Sequence, residues 1–390
     1  MANTFSNNKK TKLIAGAVVD AMDYVKASHS YMSQGELEGK KYGKSYTIYI
    51  PDPGKVSDGL TANPDEVVEV EVPAYLDNKN TSCELDAWNK LTDIESFVNE
   101  IAKPRGTMLG LSVQNKIIAD TYKKAFGTVV VSAADQAADK GWGFKAMAEG
   151  QAKLIEAGVA GDKVTFLNPS VNGAIAASGL ANFIPDSIQK DIYGKNYLGE
   201  YAGASTVSIN GMPTVTAVAS GVSISVDAEG VATITDSTSN GMPVVIDGLK
   251  LVDVNGIKTE NDFEYISGSK EKIRVAIHSL DAEGNDVWTG AENPNAWMED
   301  GATLTVTDKL TVGKKYKIGV CRSKDALGFD SYKFQDLPGS VNETVTVDGV
   351  SVKMSQYGDG KNMTTLCRID CPFCAVIPDA RKQVVIYFEA

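Results

Sequence analysis

Histidine is almost missing from this chain: His29 and His278 are the only two among 390 residues. Catalytic triads and most zinc sites draw on histidine, so that chemistry has few candidates here. Cysteine is also sparse. Five residues at uneven spacing form no disulfide framework. No apolar run approaches the roughly 20 residues that a membrane-spanning helix needs. Basic residues are outnumbered, 38 against 50 acidic, for a net charge of −12. Tight nucleic-acid binding needs the opposite balance, because cationic patches must neutralise phosphates. Nucleotide and hydrolase signatures are missing as well. Gly141-Trp-Gly143 lacks the third glycine of a dinucleotide loop, and Gly39–Ser45 is one spacer short of a Walker loop and precedes a strand pattern. No HExxH or GxSxG occurs. Asp281–Asp286 lacks the spacing and final glutamate of a calcium loop and reads as a hairpin turn.

What is present is an ordinary globular composition, 43% hydrophobic and 23% charged, on a chain long enough for two to four domains. The N-terminus superficially resembles a secretion signal, with Lys9, Lys10 and Lys12 before Leu13–Val19. Asp20 and Asp23 interrupt the run, and Val18, Met22 and Val25 fall at helical spacing. An amphipathic arm helix over about 12–27 is the better reading, in a protein made and kept in the cytoplasm. Cys371-Pro-Phe-Cys374, with Cys367 four residues earlier, lies in an extended pattern with proline inside. Small core residues are the favoured interpretation, and metal or redox use stays open.

Two alternating segments, Tyr46–Pro51 and Val67–Pro73, flank a polar tip that begins Pro51-Asp-Pro-Gly54. They predict an extended hairpin projecting from the body, with Glu69 and Glu71 on a wet face. The stretch 92–133 reads as a core. Thr92-Asp-Ile-Glu95 caps a short helix, and Pro104 with Gly106 breaks it. A longer helix follows with Leu109, Val113, Ile117, Ile118, Tyr122 and Phe126 on one face, closed by Gly127 as its C′ residue. Thr128–Val131 is a buried strand. Beyond a linker at 135–143 come a helix at 144–156, a strand at 164–168 ending in Asn-Pro, helical turns near 173–180 and 185–191, and strands at 205–209 and 214–218. From Gly221 short strands and tight turns dominate: 222–226, 231–235, 244–246, 249–252, 272–278, 303–307 and 316–320. They predict an acidic all-β module of sandwich or barrel type. The tail adds strands at 344–347, 367–377 and 383–388. His278 reads as a surface or edge residue and His29 as a loop residue.

Several patches carry a family likeness. They are Lys40-Lys-Tyr42 with Tyr46–Pro51, Val68-Glu-Val-Glu-Val72, Asn115–Ser132, Phe166-Leu-Asn-Pro169, Gly203–Pro213, and Leu366-Cys-Arg-Ile369 with Asp379-Ala-Arg381. In this order they resemble the major capsid protein of tailed double-stranded-DNA bacteriophages, of the short-tailed Salmonella-phage type with an inserted β domain. The resemblance implies an α+β fold with a long spine helix. It implies an N-terminal arm (1–39), an extended hairpin loop (40–80), a peripheral domain with the spine helix (81–140), an axial domain (141–220), an inserted β-barrel-like domain (221–330) and a return through axial to peripheral domain (331–390). It implies a non-enzymatic structural protein that self-assembles as hexamers and pentamers into an icosahedral virion shell around double-stranded DNA, made in the host cytoplasm. A scaffolding protein and a portal are the implied partners, with neither membrane nor cofactor. Asp20 and Asp23 are candidate scaffold contacts. Tyr46, Ile48, Ile50, Glu69 and Glu71 are candidate intersubunit residues of the hairpin. Two other readings stay open: another phage or surface structural protein of the tail-tube or adhesin kind, and a carboxylate-dependent hydrolase with a β accessory domain.

Overall fold

The computed structural model describes residues 7–30, 45–51, 69–86, 98–178, 200–201, 203–269, 273–284, 286–290, 294–336, 338–359 and 364–390. The capping box at 92–95, the hairpin tip and the helical turn at 185–191 lie outside them. The fold is mixed α+β and rich in strands. It divides into two compact units, each assembled from separated stretches of chain. One holds 1–48, 72–120 and 327–378; the other holds 49–71, 121–326 and 379–390.

The first unit is built on a six-stranded sheet ordered Ser45–Pro51, Glu69–Asp86, Thr364–Val376, Val350–Asp359 and Val341–Val347, with Gly328–Ser331 also paired to Thr364–Val376. Leu76–Asp86 pairs antiparallel with Thr364–Cys374 without interruption. The descending hairpin strand therefore runs through Pro73 instead of ending there. Val350–Asp359, which the sequence reading missed, sits inside the sheet between two partners.

The arm helix spans Asn7–Asp20 and buries Ile14, Ala15 and Val18. It starts and ends earlier than the spacing predicted, because Ala21 to Ser28 continue as turns. The longer helix spans Lys103–Thr121 and follows directly on a π-helical turn at Val98–Ala102. The expected break at Pro104 and Gly106 is corrected. Proline is tolerated in the first turn, where an N–H has no intrahelical acceptor to lose. The glycines serve a crossing. A side-chain carbon at Gly106 would lie 2.7 Å from Ala17 Cβ, and one at Gly110 would lie 2.5 Å from the Val18 carbonyl oxygen. Two helix backbones meet there because nothing stands between them. Gln114 adds a tie by accepting a hydrogen bond from the Tyr24 N–H at 3.0 Å.

The second unit holds a seven-stranded sheet ordered Gly127–Val131, Gln383–Glu389, Lys315–Ser323, Lys163–Leu167, Ala204–Ser208 and Glu200–Tyr201, with Thr214–Thr216 also paired to Lys315–Ser323. Gly127 opens a strand and is not the cap predicted for it. It faces Val384 in a parallel pair, where an added side-chain carbon would lie 2.7 Å from Val384 Cγ2. Gln383 Nε2 donates to the carbonyls of Thr121, Tyr122 and Lys124, just upstream of the strand Gly127–Val131. The expected linker holds a short helix, Ala133–Ala138, with a Ser132/Asp135 capping box. Asn168-Pro169 starts the helix Pro169–Ala177 as N-cap and first residue instead of closing a turn.

Residues 222–308 supply an eight-stranded sheet. The hairpin of Val222–Val226 with Val231–Asp236 is as the sequence predicted. The two strands expected at 244–246 and 249–252 are one, Pro243–Val252, irregular at Gly248, whose φ is +91°. Strands at Lys258–Ile266, Asp286–Gly290 and Ala296–Glu299 were not foreseen. This sheet does not keep a core to itself. Val244, Ile246, Phe263, Tyr265 and Val275 share one buried cluster with Phe126, Met147, Leu154, Ile386 and Phe388. Phe126 and Phe263 pack at 5.0 Å between ring centroids.

Candidate functional site

The side chains singled out from the sequence are dispersed. Asp20 closes the arm helix and is exposed; Asp23 is exposed and paired with Lys26 at 2.6 Å. At the hairpin root Tyr46 and Ile48 are buried within their own chain, so the root does pack against a core. The Tyr46 hydroxyl donates to Asp330 at 2.8 Å, and Ser30 Oγ donates to the other oxygen of the same carboxylate at 2.5 Å. Burial, then the neighbouring Cys374 and Asp330, pushes the Tyr46 phenol far above its ordinary range. One buried carboxylate thus joins the end of the arm, the root of the hairpin and the strand Gly328–Ser331. Glu71 is exposed. Ile50 and Glu69 belong to their strands, but their side chains lie outside the described residues.

The sequence reading missed a second cluster. Glu264, on Lys258–Ile266, is buried; one carboxylate oxygen accepts from Lys153 Nζ at 2.6 Å and Lys309 Nζ at 2.8 Å. Its other oxygen accepts from the Thr128 N–H and hydroxyl. Both lysines also donate to the Thr128 carbonyl, at 3.0 and 2.9 Å. Burial lowers the Lys309 ammonium below its usual range, and Glu264 opposes that shift. A carboxylate offers about four lone-pair directions, and here four donors take them up. No acceptor remains to act as a general base, so this cluster ties strands together. The adjoining cavity is about 20 Å³, room for one water. A shallower groove of about 350 Å³, lined by Glu156, Asp253, Ile257, Lys258, Thr259, Glu260 and Asn261, is open. Its Asp253 carboxylate is engaged by the N–H groups of Asn255 and Ile257, and Glu156 accepts from Asn261.

Among the described residues no three His, Cys, Asp or Glu side chains come close enough to hold a metal. His278, expected to be a surface or edge residue, is half-buried on an interior strand and stacked on Trp297 at 5.4 Å. His29 bridges to Gly328, donating its N–H to the Leu327 carbonyl. Cys367, Cys371 and Cys374 are buried in one strand, and burial pushes the Cys371 thiol up to about 12. No described helix is long and apolar enough to cross a membrane.

No protein-family model matches the sequence, and no curated protein matches it either. Solved structures that the chain matches at a distance include that of Mycobacterium phage Che8, at 11% identity and a TM-score of 0.47, covering 91% of this chain and 89% of that one. The capsid structure of cyanophage P-SCSP1u matches at 10% identity and a TM-score of 0.46, covering 93% and 85%. A virus-like particle from Pyrococcus furiosus matches at 10% identity and a TM-score of 0.39, covering 97% of both chains. Likenesses this distant establish neither family nor function.

Proposed function

We propose that this chain is the major capsid protein of a tailed double-stranded-DNA bacteriophage. It self-assembles through hexamers and pentamers into the icosahedral shell, with a scaffolding protein and a portal as partners and the virion as its place. The observation that carries the reading is the order of parts along the chain. The helix Asn7–Asp20 comes first, then the strands Ser45–Pro51 and Glu69–Asp86, the helix Lys103–Thr121, strands of a seven-stranded sheet, the eight-stranded sheet of residues 222–308, and late strands that complete the earlier sheets. Together with the residue patches at 40–51, 68–72, 115–132 and 366–381, that order supports a subunit built to present arms to its neighbours. Physically the role suits the chain. Many modest contacts repeated around a shell add up through multivalency. Segments that order on a neighbour give broad interfaces without a standing apolar patch. An acidic protein also lets packed DNA slide instead of sticking. The charge-saturated Glu264 and the small adjoining cavity weigh against a carboxylate-dependent hydrolase at that place.

Expression alone and with its genomic neighbours, followed by electron microscopy, tests the proposal. Shells or polyheads of regular capsomers are expected. A persistent monomer at high concentration would overturn it. Deleting residues 52–66 should leave the thermal unfolding of the subunit nearly unchanged and abolish regular assembly. Normal shells from that variant would remove the hairpin from the assembly contacts.

A further inference from the structure

Cys83 and Cys367 stand directly opposite each other in the antiparallel ladder between Glu69–Asp86 and Thr364–Val376. Opposed residues of such a pair project to the same side of the sheet with Cα atoms about 4.5–5.5 Å apart. That separation falls inside the roughly 4.4–6.8 Å window that disulfides occupy. Both thiols are reduced in this structure. They are unequal in access: Cys83 is half-buried and Cys367 is buried. Arg105 donates from Nη1 to the Ser82 carbonyl at 3.0 Å and to Thr81 Oγ1 at 3.2 Å, which sets its guanidinium beside Cys83.

We propose that Cys83 and Cys367 are a modification site, a cross-strand disulfide that closes when the protein meets a low-molecular-weight disulfide such as oxidised glutathione. The half-buried Cys83 attacks as thiolate. Contact with Cys367 and the charge of Arg105, against the opposing effect of burial, lower its thiol to about 7. Its sulfur bonds to one sulfur of the small disulfide, the S–S bond breaks, and the departing thiolate takes up a proton. Cys367 then loses its proton to solvent and attacks Cys83 Sγ in the mixed disulfide, releasing the second small thiol. Two protein thiols are oxidised to one disulfide while one small disulfide is reduced to two thiols.

The C-x-x-C motif, more conspicuous in the sequence, cannot form this link. Cys371 and Cys374 lie three apart on one strand and project to opposite faces. Cys367 and Cys371 share a face but sit about 13 Å apart along the strand. The inference stands apart from the functional proposal, since it needs only the sheet.

The experiment uses the full chain, incubated with oxidised glutathione at mildly alkaline pH. Free thiols are then alkylated and the protein is mapped by mass spectrometry without reduction. The expected product is one linked peptide pair, Cys83–Cys367, released by dithiothreitol. Cys83→Ser and Cys367→Ser each abolish it, and Cys371→Ser keeps it. Oxidised protein should melt roughly 5 °C higher than reduced protein, and Cys83→Ser should show no such rise. Alkylation of Cys83 in the native protein should follow an apparent pKa of about 7. Stable glutathione on Cys83 with Cys367 still free, a link through Cys371 or Cys374, or five unmodified thiols would each overturn the proposal.

Discussion

The six-stranded and eight-stranded sheets solve the burial problem differently. On Val350–Asp359 of the first, Val350, Val352 and Met354 are buried on one face and Ser351, Lys353 and Ser355 on the other. That strand is covered on both sides, and its polar face has internal partners: Lys353 reaches the Gln335 carbonyl, and Ser355 donates to Asn342. On the hairpin Val222–Val226 with Val231–Asp236, half-buried or buried residues alternate with exposed ones, as expected of a sheet with one wet face. The first sheet gathers strands from both halves of the chain, and the second is drawn from one continuous stretch. A sheet of distant segments depends on close packing by what covers it. A sheet of local hairpins can lean on one shared core and a few polar ties.

The largest effect should come from the polar tie in the second unit. Glu264→Ala strips two lysines and Thr128 of their acceptor, and breaking a buried ion pair costs about 3 kcal/mol or more. A chemical-denaturation midpoint unchanged by that substitution would mean that the shared apolar core alone holds the eight-stranded sheet. Next comes the helix crossing in the first unit. Gly110→Leu places a side chain against the Val18 carbonyl, with an expected loss of about 2 kcal/mol despite leucine's better helix propensity. A rise in melting temperature would show that the arm helix is free to move away. Smaller still, Gln383→Leu leaves the carbonyls of Thr121, Tyr122 and Lys124 without their donor and should cost about 1 kcal/mol. Hydrogen exchange at 119–126 should speed up while residues 222–308 stay protected.

Legibility followed the distance between partners. The hairpin 222–236 was readable because its alternation and its turn lie within a few residues. The helix at 142–156 and the spine face from Leu109 to Ile118 were readable from spacing alone. Gly106 misled, because a glycine that ends a helix and one that admits a second helix look alike until the second helix is placed. Val350–Asp359 was missed because both its faces are buried, so serines and a lysine interrupt the apolar signal that marks a strand. Glu264, with partners at 128, 153 and 309, had no local signature, and neither did Cys83 opposite Cys367. Of the candidate assembly residues, Tyr46 and Ile48 alternate as a strand should, but alternation cannot say whether the inward face meets its own chain or another.

The long ladder between Leu76–Asp86 and Thr364–Cys374 also has a meaning in time. The first strand leaves the ribosome far ahead of its partner, and in that interval it offers a bare, β-prone edge to any other chain. Substitutions in 69–86 should therefore reveal themselves first as aggregation during synthesis at elevated temperature, before any change in the finished protein is measurable. The native state conceals that exposure once the partner strand arrives.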